Sequence, residues 1–229
     1  MTTNADSLAL RLEVIETARE MNRRGINVNK SGNVSVRAVR DGMQGFLVTP
    51  SGVPYEALEP DFIAFVPLSE PLTIERAVGP YAPSSEWEMH ARVYLLRPDA
   101  AAVVHTHSCY ATALACQDMP IPSFHYMVAA AGGTSIDVVP YQTFGTSELA
   151  KAAAEGLRLV NACLLSHHGV LAAGSSLFKA LTLAAEVENL AHQYVVARML
   201  GEPKLIDAEE MARVVEKFRH YGQPHQTGG

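Results

Sequence analysis

His105 and His107 stand one residue apart at the end of the apolar run Ala101-Ala102-Val103-Val104. Such a run reads as a buried strand. In a strand, residues i and i+2 point to one face. Both imidazoles therefore leave the strand on the same side, which suits a divalent metal ion better than it suits core filling. Two separately satisfied histidines are the competing reading of the pair taken alone. A metal needs a third ligand. His168 is the first choice, because it follows the apolar segment Ala162–Leu165 at a turn and directly precedes Gly169; His167 is the alternative. A surface histidine pair in a turn is the ordinary explanation of that segment.

A carboxylate stands near in the chain. Glu86 lies at the start of an expected helix just before the histidine strand, where it either complements the helix dipole or faces the metal and moves a proton. His90 falls four residues later on the same helical face and can pair with it. Two segments are rich in backbone and hydroxyl donors, Ser31-Gly32-Asn33 and Thr49-Pro50-Ser51-Gly52, and Ser84-Ser85 precedes a helix. Donors of this kind serve turns and also cradle phosphate. Ala131-Gly132-Gly133 makes neither GxGxxG nor a Walker loop, so no nucleotide fingerprint is present.

The elements that must position these groups follow from periodicity. Leu8, Leu12, Ile15, Ala18 and Met21 mark an amphipathic helix ending at Gly25. Val34–Val39, Phe46–Thr49 and Phe62–Val66 read as strands, the first two joined through Asp41-Gly42. Ser85 and Glu88 fit a capping box opening a helix to about Leu96. After the histidine strand, a helix is expected from Ser108 to Cys116, strands at Ile136–Val139 and Ala162–Leu165, and a helix between them from Ser147 to Leu157. A long helix runs from Leu177 to Leu200. A second capping box, Asp207 and Glu210, opens a last helix stopping near Gly222. Interspersed helices and strands with early hairpins predict a mixed sheet with helices on both faces.

The chain has 229 residues, 48% of them hydrophobic, and a net charge of −6. This is enough for a full core, and with no repeat or long linker the expectation is one domain over residues 1–229. The acidic balance and the lack of a basic block argue against nucleic acid as partner. No charged and apolar leader and no apolar run of about 20 residues appears, so neither secretion nor a membrane is expected. Cys109, Cys116 and Cys163, without CxxC spacing, read as reduced core thiols of a cytoplasmic protein. Cys109 lies close enough to His107 in sequence to be a metal neighbour, although a small buried cysteine is the common case.

Taken together, the ordered segments Ser31-Gly32-Asn33-Val34-Ser35-Val36-Arg37, Pro83-Ser84-Ser85-Glu86-Trp87, Arg97-Pro98-Asp99-Ala100, His105-Thr106-His107, His125-Tyr126-Met127, Phe144-Gly145-Thr146 and His168-Gly169 resemble the class II (zinc-dependent) aldolase/adducin family. The resemblance spans about Arg19 to Tyr221. It implies a three-layer α/β/α domain around a mixed, mostly antiparallel sheet, assembled as a homotetramer with active sites between subunits. By resemblance, His105, His107 and His168 are ligands of one Zn2+, and Glu86 is the catalytic carboxylate. Asn33, Ser51, Gly52, Ser84 and Ser85 form a phosphate pocket. Tyr126 is a proton donor supplied by the adjacent subunit, and Phe144, Phe218 and Tyr221 line the aldehyde side. The implied reaction is reversible cleavage of a ketose 1-phosphate, of the fuculose, 5-deoxyribulose or 5-methylthioribulose kind, to dihydroxyacetone phosphate and an aldehyde. Related ribulose-phosphate 4-epimerases carry Asp at the position of Glu86, which favours carbon–carbon cleavage. The alternatives are a dehydratase, decarboxylase or epimerase acting on a phosphosugar, a non-catalytic adducin-like assembly module, and a zinc hydrolase. Lys30, Gln142, the Ser108-Cys109-Tyr110 stretch and the tail after Tyr221 depart from the family's fuculose-type pattern and bear on aldehyde specificity.

Overall fold

The computed structural model describes residues 4–220. After α1 (Leu8–Arg23), the chain forms the hairpin β1 (Asn33–Arg40) and β2 (Met43–Val48), then β3 (Ala64–Pro67). Helix α2 (Trp87–Leu96) leads into β4 (Ala102–Thr106) and α3 (Cys109–Ala115). A 3-10 turn at Tyr126–Ala131 precedes β5 (Val138–Val139), α4 (Ser147–Gly156), β6 (Ala162–Leu165) and β7 (Gly169–Gly174). Helices α5 (Leu177–Leu200) and α6 (Ala208–His220) complete the fold. The strands form one sheet in the order β3-β2-β1-β4-β7-β6-β5. Every neighbouring pair is antiparallel except β5 with β6. The expected α/β class, with a mixed and mostly antiparallel sheet, is therefore present.

Side chains alternate across the sheet, as the pleat requires. Val34, Val36, Ala102, Val104, Val170 and Ala172 face a layer that contains α1, α3 and α5. Phe46, Val48, Val103, Leu171 and Ala173 face the opposite layer with α2 and α4. His105 is two residues from Val103 and so belongs to the α2 face. It sits opposite Asn33 of β1 and Leu171 of β7. A one-residue slip of β4 would turn Val103 and His105 to the wrong layer, exchanging every buried group at once.

Several boundaries differ from expectation. The Ser85–Glu88 capping box does not form. Glu86 is the N-cap residue of α2 and makes no side-chain cap bond. The Glu88 carboxylate instead accepts from Arg92 and Ser147, and Ser84 Oγ accepts from the Glu86 N–H. The strand expected from Phe62 starts at Ala64, because Pro60–Phe62 is a 3-10 turn. β7 was not anticipated. Of the three thiols only Cys163 is buried; Cys109 and Cys116 are exposed near the ends of short α3. The Asp207 cap of α6 does form, accepting from Glu210 N. The expected stop near Gly222 lies outside the described residues, as does Tyr221. Among the described residues no helix is long and apolar enough to cross a membrane.

Gly169 lets β7 begin hard against β4. A Cβ there would lie 2.3 Å from the Thr106 carbonyl oxygen and 3.1 Å from His107 Cδ2. Neither backbone can give way without moving a histidine. Gly169→Ala should therefore lower the unfolding free energy by about 1–3 kcal/mol, the usual cost of overpacking. Urea unfolding checks this, and an unchanged midpoint would refute the close-approach argument.

Candidate metal and carboxylate site

Three elements deliver the site to one end of the sheet on the α2 face. β4 carries His105 and, just past its end, His107. The tight turn between β6 and β7 carries His168; its neighbour His167 takes a left-handed backbone with φ 53°. The start of α2 carries Glu86. The expected grouping of His105, His107 and His168 is present, with one candidate ligand atom from each and all of these within 4.8 Å of one another. The three rings stand edge to face, with centroids 4.8–4.9 Å apart. His105 Nε2 and His107 Nε2 approach to 2.9 Å.

The tautomer of His105 is set by its surroundings. Its Nδ1 lies 2.8 Å from the Val170 carbonyl oxygen, which can only accept, so Nδ1 carries the proton and Nε2 turns a lone pair to the cluster. Burial pushes the His105 pKa down to about 3 despite the opposing pull of Glu86, so the ring is neutral at physiological pH. Burial likewise lowers His107. Neutral imidazoles are what a metal requires.

Glu86 is 6% exposed and lies against the cluster. Its Oε2 accepts from Asn33 Nδ2 at 2.9 Å and lies 3.3 Å from His105 Nε2. Its Oε1 lies 3.2 Å from His168 Nε2 but has no well-formed hydrogen bond. Burial raises the carboxyl pKa. The His105 and His168 imidazoles and the Asn33 amide outweigh it, and the group stays ionised well below its usual range. An ionised, buried carboxylate with one under-satisfied oxygen, beside three converging imidazoles, fits a divalent cation such as zinc. At the N-cap of α2 the Glu86 side chain makes no bond to the helix N–H groups; its contacts are Asn33 and the histidines.

His90 does not pair directly with Glu86. It reaches it through Asn33, whose Oδ1 meets His90 Nε2 while its Nδ2 donates to Glu86. A cavity of about 350 Å³ opens over the site, lined by Ser31, Ser85, Glu86, His107, Tyr141, Gln142, Phe144, His167 and His168. Sequence reasoning missed Tyr141, whose ring packs edge-on to His167 at 6.0 Å. It also missed Asn27, whose Oδ1 accepts from His107 N and Ser31 Oγ. Gly32 packs against both Asn27 and the His105 carbonyl, which presses the Asn27 loop onto the histidine strand. The antiparallel bridge between Pro50 and Pro83 sets Ser51 N against the Ala82 carbonyl and Ser84 N against the Thr49 carbonyl. Of the expected phosphate residues Ser85 lines the cavity, and Lys30 Nζ donates to the Gly52 carbonyl at 2.7 Å. Phe144 is 67% exposed at the cavity mouth. Tyr126 is 52% exposed and packs beside Phe218, away from the residues lining the cavity.

Two outcomes follow for solution experiments. His105→Ala, His107→Ala and His168→Ala should each lose the bound divalent metal, while His167→Ala, on the cavity rim, should keep it. Elemental analysis after desalting reads this, and full metal in His168→Ala would move the third ligand elsewhere. The second outcome concerns His90, which burial lowers from 6.5 to about 4. A lowered folded pKa means that the unfolded chain binds the proton first as pH falls. The contribution is thus full above pH 6.5 and is lost as pH falls towards 4. Between pH 7 and 4.5 the metal-free protein should lose ~2–3 kcal/mol through this residue. His90→Gln should show a correspondingly flatter pH dependence in urea unfolding; parallel curves would contradict the assignment.

Comparisons with known proteins give the family. Residues 12–195 match the model of the Class II Aldolase and Adducin N-terminal domain. A 5-methylthioribulose-1-phosphate/5-deoxyribulose-1-phosphate aldolase of Rhodospirillum rubrum is 45% identical over 219 residues, covering 96% of this chain and 95% of that protein. The L-fuculose phosphate aldolase of Escherichia coli K12 is 46% identical over 211 residues, covering 92% of this chain and 94% of that protein. Among solved structures, an L-fuculose 1-phosphate aldolase superposes with a TM-score of 0.86 at 35% identity, covering 93% of this chain and 97% of that one. With a family model spanning most of its length and relatives this similar end to end, the chain belongs to the class II aldolase/adducin family.

Proposed function

We propose that this protein is a metal-dependent class II aldolase that cleaves a ketose 1-phosphate reversibly to dihydroxyacetone phosphate and an aldehyde. The observation that carries the reading is the placement of ionised Glu86 between the Asn33 amide and the three-histidine cluster. A single metal ion, zinc in this proposal, would be held by His105, His107 and His168, and when bound would supply Lewis-acid stabilisation of negative charge developing on substrate oxygen.

The chain's own residues perform the remaining work. Glu86 takes the proton from C3 of dihydroxyacetone phosphate in the condensation direction and returns it in cleavage. Its burial keeps bulk water from competing for that proton. Ser51, Gly52, Ser84 and Ser85, with Asn33 at the inner edge, hold the substrate phosphate; Lys30 adds a positive charge at that rim. The buried Asn33 side chain is engaged by Glu86 and His90, so its part in phosphate binding rests on the family resemblance. Phe144 lines the aldehyde side at the cavity mouth. Phe218, packed beside Tyr126, reaches it with Tyr126 from the neighbouring subunit, and Tyr221 is assigned there by the resemblance alone. Tyr126 moves a proton at the aldehyde oxygen and, lying away from its own chain's cavity, does so from a neighbouring subunit of a homotetramer. The enzyme works in the cytoplasm. The names of the relatives favour a deoxy or methylthio ketose phosphate or fuculose 1-phosphate as substrate.

Glu86→Gln tests the reading. It keeps the shape and the contact to Asn33, and three histidines still hold the metal. Retro-aldol turnover should fall on the order of 10²–10⁴-fold, the usual range for a lost general acid–base. Exchange of the C3 proton of dihydroxyacetone phosphate with solvent should fall in parallel. Normal cleavage and exchange in that variant would sink the mechanism. Products other than dihydroxyacetone phosphate from the wild type would favour a dehydratase, decarboxylase or epimerase.

A further inference from the structure

A chain of buried polar groups runs behind Glu86, away from the cavity. Asn33 Nδ2 donates to Glu86 Oε2 at 2.9 Å. Asn33 Oδ1 meets His90 Nε2. Ser35 Oγ lies 2.6 Å from His90 Nδ1 and 2.7 Å from Tyr94 OH. Asn33, Ser35, His90 and Tyr94 are all buried. His90 and Tyr94 are one helical turn apart on α2, and Asn33 and Ser35 share one face of β1. The four groups are thus the contact between helix and strand.

The direction of every bond in the chain follows from its inner end. A carboxylate only accepts, so the Asn33 NH2 group must face Glu86. Its carbonyl then faces His90 and needs a donor, so His90 carries its proton on Nε2. His90 Nδ1 is therefore an acceptor, and Ser35 Oγ–H donates to it. The single Ser35 hydroxyl proton is now used, so Tyr94 OH donates to Ser35 Oγ. The wrong His90 tautomer would oppose a lone pair to the Asn33 carbonyl and favour a flipped amide. That flip would turn a second oxygen onto Glu86. Burial keeps His90 neutral, near a pKa of about 4, which is the state the chain requires.

We infer that His90 is a positioning residue for the reaction: its Nε2–H, fixed by Ser35 and Tyr94, locks the Asn33 amide that holds the Glu86 carboxylate. His90 neither touches substrate nor exchanges a proton during turnover. The inference rests on the proposed role of Glu86, so the test has one arm that reads the lock and one that reads the chemistry.

The first arm is nitrogen-15 NMR of histidine-labelled, metal-loaded protein. His90 should appear as a neutral ring protonated at Nε2, and Ser35→Ala should relax that preference. A ring protonated at Nδ1 would overturn the inference whatever the activity. The second arm is kinetic. His90→Phe keeps a flat ring but removes both nitrogens; His90→Gln places an amide N–H near the position of Nε2. In His90→Phe, kcat and C3-proton exchange should fall together by roughly 10–100-fold, as for other groups that orient a reacting ligand from behind. KM and metal content should change less than about twofold, and His90→Gln should recover most of the loss. If His90→Phe does not fold, Ser35→Ala carries the comparison, with a smaller loss in kcat at constant KM. Equal loss in the Phe and Gln variants, or a wild-type kcat in His90→Phe, would refute positioning. A wild type with the Nε2–H tautomer but no aldol or exchange activity would refute the proposed function and leave the lock intact.

Discussion

The register of β4 between β1 and β7 is the constraint on which the site depends. Pairing His105 with Asn33 on one side and Leu171 on the other places the imidazole on the α2 face. The same pairing sets Ser35 opposite Val103, so Asn33 and Ser35 lie where α2 crosses the sheet. On the β7 side, Val170 offers the carbonyl that fixes the His105 tautomer. One antiparallel register thus decides a candidate ligand's face, its protonated nitrogen and the neighbour of the carboxylate. The apolar cost of shifting it, several buried side chains at roughly 1.5–3 kcal/mol each, is what makes the polar geometry dependable.

Close packing carries that register to the third histidine. Gly169 and Gly32 both meet β4 backbone oxygens at distances no Cβ could occupy, 2.3 Å to Thr106 and 2.4 Å to His105. The turn bearing His168 and the loop bearing Ser31 can therefore press against the two sides of the histidine strand. Larger residues would hold both segments off and open the cluster. The glycines act through sterics alone, yet they determine whether three imidazoles converge.

Much of this was legible in the sequence, for reasons that differ by residue. His105 and His107 were readable because strand periodicity is rigid: two residues apart means one face. Helix α5 was readable in the sequence because its long apolar run is ended by Gly201 and Pro203. β7 was not, since Gly169-Val-Leu-Ala-Ala-Gly is short, uniformly apolar and flanked by glycines that suggest a turn. The Ser85–Glu88 signature misled because a capping box competes with tertiary partners, and Glu88 found Arg92 and Ser147. Asn33 read as a turn donor. Its link between Glu86 and His90 depends on where α2 packs across β1, and no local pattern encodes that. The thiols of Cys109 and Cys116 were placed in the core on residue type, whereas α3 is too short to bury both of its ends.

Charge explains why the parts belong together. Glu86 is buried and ionised, and burying a lone carboxylate is costly unless positive charge or several donors answer it. The Asn33 amide supplies one donor, and the His105 and His168 imidazoles lie against the carboxylate and favour its ionised form. A divalent ion held by the three imidazoles would answer the Glu86 charge and would supply positive charge suited to negative charge developing on a substrate oxygen. The polar chain behind Glu86 carries no formal charge, which keeps this balance local. It also leaves the carboxylate free to accept a proton towards the cavity, while its inner oxygen stays tied to Asn33. A charged residue in place of His90 would compete with the metal for Glu86; a neutral, hydrogen-bonded imidazole holds the geometry without entering the competition.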